Sequence, residues 1–194
     1  MRRIAILILL FCFGTALYAQ EHITFKNIPI EGNASSFVDK LKAQGFVVDE
    51  VEEELITMTG AFVGYDDCTL IICITKKTRT VWKVVVWLPK QHSWSSVVSR
   101  YDSFMEKYQQ KYGKPSKSFE FFKYPYERGD GYELQAISLE KAYYRCYWLL
   151  DAGSVSLAIE ATDNYTGWVK MSYEDKAGGD LMTAEKDAMI EADI

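Results

Sequence analysis

Few residues in this chain have side chains suited to catalysis. It contains two histidines, His22 and His92, so a serine or cysteine nucleophile activated by an imidazole would depend on one of them. His92 lies in the segment Lys90-Gln91-His92-Ser93-Trp94, which has no glycine-flanked nucleophile, phosphate-binding loop or zinc-ligand spacing. We interpret His92 as a surface residue at the start of a helix. We predict a non-enzymatic protein with no catalytic residues, no metal site and no cofactor.

Carboxylates offer a second kind of chemistry. Paired carboxylates hydrolyse glycosidic bonds, but the separation that matters is spatial, so a sequence alone does not exclude this activity. The densest acidic run is Asp49 to Glu54. It lacks the glycine-punctuated alternation of oxygen ligands found in calcium-binding loops. We therefore interpret the run as a solvated hairpin turn at a sheet edge.

Aromatic residues are the best candidates for binding. Tyr124, Tyr126 and Tyr132 lie in the longest irregular loop of the chain, and Trp94 could lie near them. Tyrosine and tryptophan give large, rigid contact areas with a polar group, which suits recognition of proteins or sugars. We predict these four residues as a binding surface. The alternative is that the aromatic residues fill the core, which we favour for the phenylalanines of the same segment, Phe119, Phe121 and Phe122.

The cysteines leave two alternatives open. Cys12 lies in the N-terminal apolar run, so Cys68, Cys73 and Cys146 remain for the folded protein. Strand alternation places Cys68 and Cys146 each on an apolar strand face. If those faces meet in one core, a Cys68–Cys146 disulfide is the pair to test, and buried free thiols are the alternative.

The N-terminus indicates export. Met1-Arg2-Arg3 is basic, Ile4 to Phe13 is apolar, and Gly14 to Ala19 ends in small residues. This order is typical of a secretory signal peptide, and the apolar run is too short to span a bilayer. We predict a signal peptide at 1–19 and a periplasmic or secreted product.

The charge balance excludes some partners. The chain carries 22 basic and 27 acidic residues, a net charge of −5. Loss of Arg2 and Arg3 with the signal peptide leaves 20 basic residues against 27 acidic ones, a net charge of −7. An acidic chain is unsuited to nucleic acid or to anionic membranes. No later apolar run approaches transmembrane length, so we expect no stable membrane insertion after cleavage.

Two amphipathic helices position the other elements. In Ser96 to Tyr112, apolar residues recur at steps of three and four, which predicts a helix with one apolar face. Ser93 or Ser95 can cap its start, and Gly113 suits its end. A smaller helix, Ala34 to Gln44, has the same pattern. Apolar strands follow each helix, and the first set ends with the strand from Trp82 to Leu88.

The order helix, strands, helix, strands predicts an α+β fold with antiparallel sheet or sheets backed by two amphipathic helices. We assign 20–175 to a single domain. Its possible halves, 20–90 and 91–175, are interpreted as a duplicated helix-plus-strands unit. The remaining residues, 176–194, form either a C-terminal tail or a short docked helix.

Short motifs carry a resemblance to known proteins. These are the Phe25-Lys26-Asn27-Ile28-Pro29-Ile30-Glu31-Gly32 opening, the helix exit Lys111-Tyr112-Gly113-Lys114-Pro115 and the finish Ser172-Tyr173-Glu174-Asp175. With the signal peptide, they resemble a family of small exported proteins from gut anaerobic bacteria. That resemblance implies no activity and no site residues.

The element order is also similar to that of beta-lactamase-inhibitor-like tandem modules, in which one face of a helix-backed sheet binds a protein. This similarity implies a non-enzymatic protein-binding module, inhibitor-like or immunity-like, whose partner is another exported or envelope protein. The alternative is a small periplasmic hydrolase or a glycan-binding accessory protein.

Overall fold

The computed structural model describes residues 21–192 and 194, so the predicted signal peptide at 1–19 lies outside the described residues. The helices of this part are α1 (Ala34–Lys42), α2 (Trp94–Tyr112), α3 (Glu133–Ser138) and α4 (Lys176–Ala192). Its strands are β1 (Thr24–Phe25), β2 (Ile28–Pro29), β3 (Val47–Val51), β4 (Leu55–Phe62), β5 (Tyr65–Ile74), β6 (Val81–Trp87), β7 (Lys117–Phe122), β8 (Ala142–Leu150), β9 (Gly153–Ala161) and β10 (Gly167–Asp175). Among the described residues, no helix has the length and apolar character needed to cross a membrane.

Strands β3 to β10 form one antiparallel sheet in the order β3-β4-β5-β6-β10-β9-β8-β7. Strands β1 and β2 form a separate two-stranded sheet. The α+β class and the antiparallel sheet are therefore confirmed. Along the chain, α1 precedes β3–β6 and α2 precedes β7–β10, with α3 between β7 and β8. The two sets of strands join where β6 pairs with β10, and we call this pairing the seam.

Helix α2 forms for the local reasons read from its sequence. The Ser93 side chain accepts a hydrogen bond from the backbone N–H of Ser96 at 3.2 Å, which satisfies a free donor of the first turn. At the other end, Gly113 has φ of 79°, a left-handed conformation that favours glycine. The helix begins at Trp94, two residues before the predicted start.

Helices α1, α2 and α3 pack on one face of the large sheet, which we call the covered face. Its residues alternate along each strand with those of the opposite face, as the period of two requires. Aromatic contacts join α2 to β8, since Tyr101 meets Tyr144 and Tyr108 meets Trp148 at centroid distances of 5.9 and 5.4 Å. The core therefore lies between the covered face and these helices.

The sequence left two helices undetermined. Helix α3 was not predicted, because six residues are too few to show a helical period; its Leu134 and Ala136 are buried. The tail beyond Asp175 is a docked helix, the second of its two alternatives, and it runs to Ala192. The buried Asp175 carboxylate accepts a hydrogen bond at 3.0 Å from the Gly178 N–H, which fixes the start of α4.

The Cys68–Cys146 disulfide is not formed; both residues are buried free thiols, and Cys73 is also free. Cys68 lies in β5 and Cys146 in β8, with β6, β10 and β9 between them. Four strand spacings separate the two thiols by roughly 19 Å, whereas a disulfide needs Cα atoms within about 7 Å. Burial raises the pKa of Cys146 to about 11, so its thiol is protonated at neutral pH.

Candidate functional site

The predicted aromatic residues divide between surface and core. Tyr124 is 95% exposed and Tyr132 is 54% exposed. Tyr126 and Trp94 are half-buried and pack against the core. The Trp94 ring meets Tyr144 edge-on at 4.9 Å, which places Trp94 beneath the covered face. Arg128 of the loop lies 5.7 Å from the centroid of the same Tyr144 ring. A binding role for the loop tyrosines stays a prediction.

Hydrogen bonds brace the loop that carries these tyrosines. The two carboxylate oxygens of Asp130 accept from the backbone N–H groups of Glu127 and Tyr132, at 2.9 and 2.7 Å. The Gly129 N–H donates to the Glu133 carboxylate at 2.9 Å. Turn formation therefore accounts for the Gly-Asp-Gly sequence, and it holds Tyr132 at the surface.

The second face of the large sheet, opposite α1, α2 and α3, is the open face. Strand pairing aligns its residues in rows that cross the sheet. One row is Thr59, Thr69, Trp87, Lys170, Ala158, Arg145 and Phe119; the next is Thr57, Ile71, Val85, Ser172, Ser156, Tyr147 and Lys117. The rows grade from threonine on β4 and β5 to aromatic and basic residues on β7 and β8.

Aromatic side chains pair on this face. Three pairs lie there, Trp87 with Trp168, Phe119 with Tyr147 and Phe121 with Tyr143, with ring centroids 5.7, 6.4 and 5.2 Å apart. Phe119 and Phe121 are 43% and 41% exposed, so the preference for a core position is wrong for both. It is confirmed for Phe122, which packs against the core. The open face therefore leaves large aromatic surface uncovered.

Basic residues surround these pairs. The Glu160 carboxylate bonds both Arg145 and Lys170, at 3.0 and 3.1 Å, so one negative charge faces two positive ones. Lys123 lies 4.9 Å from the Tyr143 ring centroid. We call the following residues the basic aromatic patch: Trp168, Tyr143, Tyr147, Phe119, Phe121, Glu160, Lys90, Lys117, Lys123, Arg145 and Lys170. The patch is basic although the chain is acidic.

Two indole groups at the seam lack hydrogen-bond acceptors. Among the described residues, the buried Nε1–H groups of Trp87 and Trp168 have no partner. By contrast, the Trp148 Nε1–H on the covered face donates to the Gly113 carbonyl at 2.8 Å. A buried donor without an acceptor costs about 1–3 kcal/mol. Packing of the rings, not hydrogen bonding, must therefore favour tryptophan at the seam.

Helix α4 covers one end of the open face. Its first turn lies against the backbone of Trp82, and a cavity lined by Leu55, Cys73, Trp82, Met182 and Met189 separates its later turns from the sheet. The row with Cys73, Lys83 and Glu174 lies at this end. The two rows nearer the basic aromatic patch lie beyond the helix.

Glu185 holds α4 to the turn between β5 and β6. Its carboxylate accepts hydrogen bonds from the N–H groups of Lys77 and Thr78 at 2.7 and 3.1 Å, and from the Thr78 hydroxyl at 2.6 Å. Burial alone would raise the pKa of Glu185. The hydrogen bonds outweigh this effect and hold the pKa below its ordinary value of 4.5. Glu185 therefore stays ionised and acts as the main polar anchor of the helix.

The histidines have structural contacts. His22 Nδ1 lies 3.0 Å from the Asp175 carboxylate and Nε2 lies 3.2 Å from the Glu31 carboxylate, so both ring nitrogens are engaged. This arrangement ties the start of the described chain to the β10–α4 junction. His92 is exposed, and its Nδ1 lies 3.3 Å from the Tyr165 carbonyl. Within residues 21–192, no group of three or more metal-ligating side chains is arranged to hold an ion.

The fold and the site define an α+β protein in which helices cover one face of a continuous sheet and aromatic residues line the other. Comparisons of the chain with protein-family models, curated proteins and solved structures found no match. The resemblances suggested by the short motifs and the element order remain predictions.

Proposed function

We propose that the protein is an exported, non-enzymatic module that binds another exported or envelope protein through its open face. The observation that carries this proposal is the uncovered aromatic surface of β7 and β8, where Phe119 and Phe121 are each more than 40% exposed. Contiguous apolar surface of this kind is typical of interaction sites, since monomeric proteins seldom leave it in water.

The dimensions of the open face suit a protein partner. Eight strands at a spacing of about 4.8 Å give a width of roughly 34 Å, and the two rows beyond α4 cover roughly 13 Å along the strands. The resulting area of roughly 450 Å² is more than half of the ~800 Å² that each partner buries in a standard interface. The face is broad and shallow, which favours a protein surface over a small substrate.

The residue types support the same conclusion. Tryptophan, tyrosine, phenylalanine and arginine are enriched at protein interfaces, and the basic aromatic patch contains all four. Aromatic rings also stack on sugars, so a glycan-binding accessory protein is the second candidate. The small-hydrolase alternative has less support, because it requires two facing carboxylates and the basic aromatic patch contains one, Glu160.

The repeated order of elements supports an internal duplication. Each half has a long amphipathic helix and four strands of the large sheet, with α3 inserted between β7 and β8 in the second half, and the halves join antiparallel at the seam. In this proposal, two copies of a unit fused edge to edge and produced a sheet wide enough to hold a partner. The basic, apolar and small-residue segments at 1–19 support export to the periplasm or the medium.

Photo-crosslinking tests the proposed function. A photoreactive amino acid is placed at Phe121 on the open face and, as a matched control, at the exposed Lys107 of α2 on the opposite side. Each protein is illuminated with envelope and supernatant fractions of the source organism. We expect one protein adduct from position 121, absent from position 107 and competed away by unlabelled wild-type protein. Equal adducts from both positions, or only glycan adducts from position 121, would refute protein binding at this face.

A further inference from the structure

Resting on the proposed function, we propose that the partner binds through an acidic segment, with aspartate or glutamate side chains seated on the basic aromatic patch. The chain has a net charge of −5, yet the patch combines five basic residues with one acidic residue. The open face therefore carries a local positive charge of four on a chain whose total charge is negative. The positive potential of the patch would attract an acidic partner.

Arg145 and Lys170 form the centre of the charged site. Both are cross-strand neighbours of Ala158, on opposite sides of β9. The two cationic residues are therefore two strand spacings apart, roughly 10 Å between Cα atoms. Ala158, which lies between them, is short and buried. We call the surface between the two long side chains the notch. The Glu160 carboxylate bridges its two cations, so an incoming carboxylate would bind beside Glu160.

Glu160 partly neutralises the notch. The same oxygen of its carboxylate bonds both Arg145 and Lys170, so the three side chains together keep one positive charge. Lys117 lies in the adjacent row on β7 and forms none of the ion pairs in the described part of the chain. An incoming carboxylate would share the cations with Glu160 and gain attraction from Lys117.

The surroundings of the notch favour an acidic protein segment over an anionic glycan. Phe119 is the cross-strand neighbour of Arg145, and Phe121 follows on the same strand face. Phenylalanine offers apolar contact without a polar group for sugar hydroxyls. Arginine beside exposed phenylalanine instead matches the residues that dominate protein interfaces. The segment we infer therefore carries carboxylates next to apolar side chains.

The test uses purified polyanions and matched variants. Binding of poly-L-glutamate and of polygalacturonate, an anionic glycan, is measured by ¹⁵N NMR titration of the mature protein. Poly-L-glutamate is expected to shift amides of β8, β9 and β10. Raising NaCl from about 0.1 to about 1 M should abolish this binding, because the Debye length falls from about 10 to about 3 Å.

Charge variants give effects of opposite sign. Arg145→Gln with Lys170→Gln should weaken poly-L-glutamate binding about tenfold, and Glu160→Gln should strengthen it, because that variant frees both cations. The matched control, Lys107→Gln with Lys111→Gln on α2, makes the same change in charge and should alter binding less than about twofold.

Other outcomes overturn the inference. Equal weakening by the control pair would show that only net charge matters, and preferential binding of polygalacturonate would assign the patch to a glycan. Failure of this inference is distinguishable from failure of the proposed function. A protein adduct from position 121 that persists in high salt and in the Arg145→Gln, Lys170→Gln variant would keep the open face as a binding site but remove the acidic segment.

Discussion

Helix α4 contains two adjacent glycines with different surroundings, and we expect alanine at each to have opposite effects. A Cβ on Gly178 would lie 2.8 Å from the Trp82 Cα and 3.1 Å from the Val81 carbonyl oxygen. Both are backbone atoms of β6, so the helix must move away. A Cβ on Gly179 would meet nothing closer than a Glu174 carboxylate oxygen at 3.9 Å.

The magnitudes follow from these distances. Alanine in place of glycine within a helix gains about 0.5–1 kcal/mol, and overpacking against fixed atoms costs about 1–3 kcal/mol. Gly179→Ala should therefore stabilise α4 by up to about 1 kcal/mol. In Gly178→Ala the clash exceeds the gain, and the docked helix should lose about 1–2 kcal/mol.

Native-state hydrogen exchange of the α4 amides measures this free energy directly. Since about 1.4 kcal/mol corresponds to a factor of ten, exchange should quicken about tenfold in Gly178→Ala and slow several-fold in Gly179→Ala. Unchanged amides of β8 and β9 serve as the internal control. If both variants slowed exchange, the close packing of α4 on Trp82 would be refuted.

Three further predictions concern the same structure. Because the pKa of Glu185 is held below 4.5, its carboxylate stabilises docking of α4 above that pH, and this contribution is lost as the pH falls through the lower folded-state pKa. Hydrogen exchange of the α4 amides in the wild-type protein should therefore quicken over that pH range. The same pH dependence of exchange in Glu185→Gln would contradict this prediction. Trp148→Phe should lower the free energy of unfolding by about 1–3 kcal/mol, because it removes the hydrogen bond to the Gly113 carbonyl. Trp168→Phe should lower it by under about 1 kcal/mol, because the Trp168 indole N–H has no acceptor among the described residues. Equal losses for the two variants in urea unfolding would contradict this prediction. Cys73 lines the cavity under α4, and burial raises its pKa to about 11, so alkylation of its thiol should be slow at about pH 8. Because Gly178→Ala weakens docking of α4, alkylation should be about tenfold faster in that variant. An unchanged rate would show that α4 does not shield Cys73.

The sequence was sufficient where local interactions decide the structure. The apolar period of α2, the Ser93 or Ser95 cap and Gly113 predicted the helix to within two residues, and the cap is Ser93. Alternation along β5 and β8 also placed Cys68 and Cys146 correctly on buried strand faces. In each case the pattern reflects contacts within one element.

The sequence did not determine which distant strands pair with one another. The sequence left a Cys68–Cys146 disulfide and buried free thiols as alternatives, because the order of strands between β5 and β8 depends on contacts between distant segments. For the same reason, the sequence did not show which residues of different strands lie together on the open face. Phe119 and Phe121 look like core residues in isolation, and only the position of α2 and α3 on the other face leaves them exposed.

The C-terminal helix shows how tertiary contacts override local preference. Gly178 and Gly179 weaken a helix intrinsically, so the sequence left a tail and a helix as alternatives. Contact of Gly178 with Trp82 and the hydrogen bonds of Glu185 to the β5–β6 turn provide the missing stabilisation. Neither contact has a local sequence signal.

The most direct test of the account compares the open face with the aromatic loop. Once crosslinking has identified the partner, its affinity is measured by calorimetry for two double variants, Phe119→Ser with Tyr147→Ser and Tyr124→Ser with Tyr132→Ser. Binding through the open face predicts that the first pair weakens affinity by more than about tenfold and the second by less than about twofold. The reverse result, with intact folding of both variants, would contradict the account and assign binding to the loop.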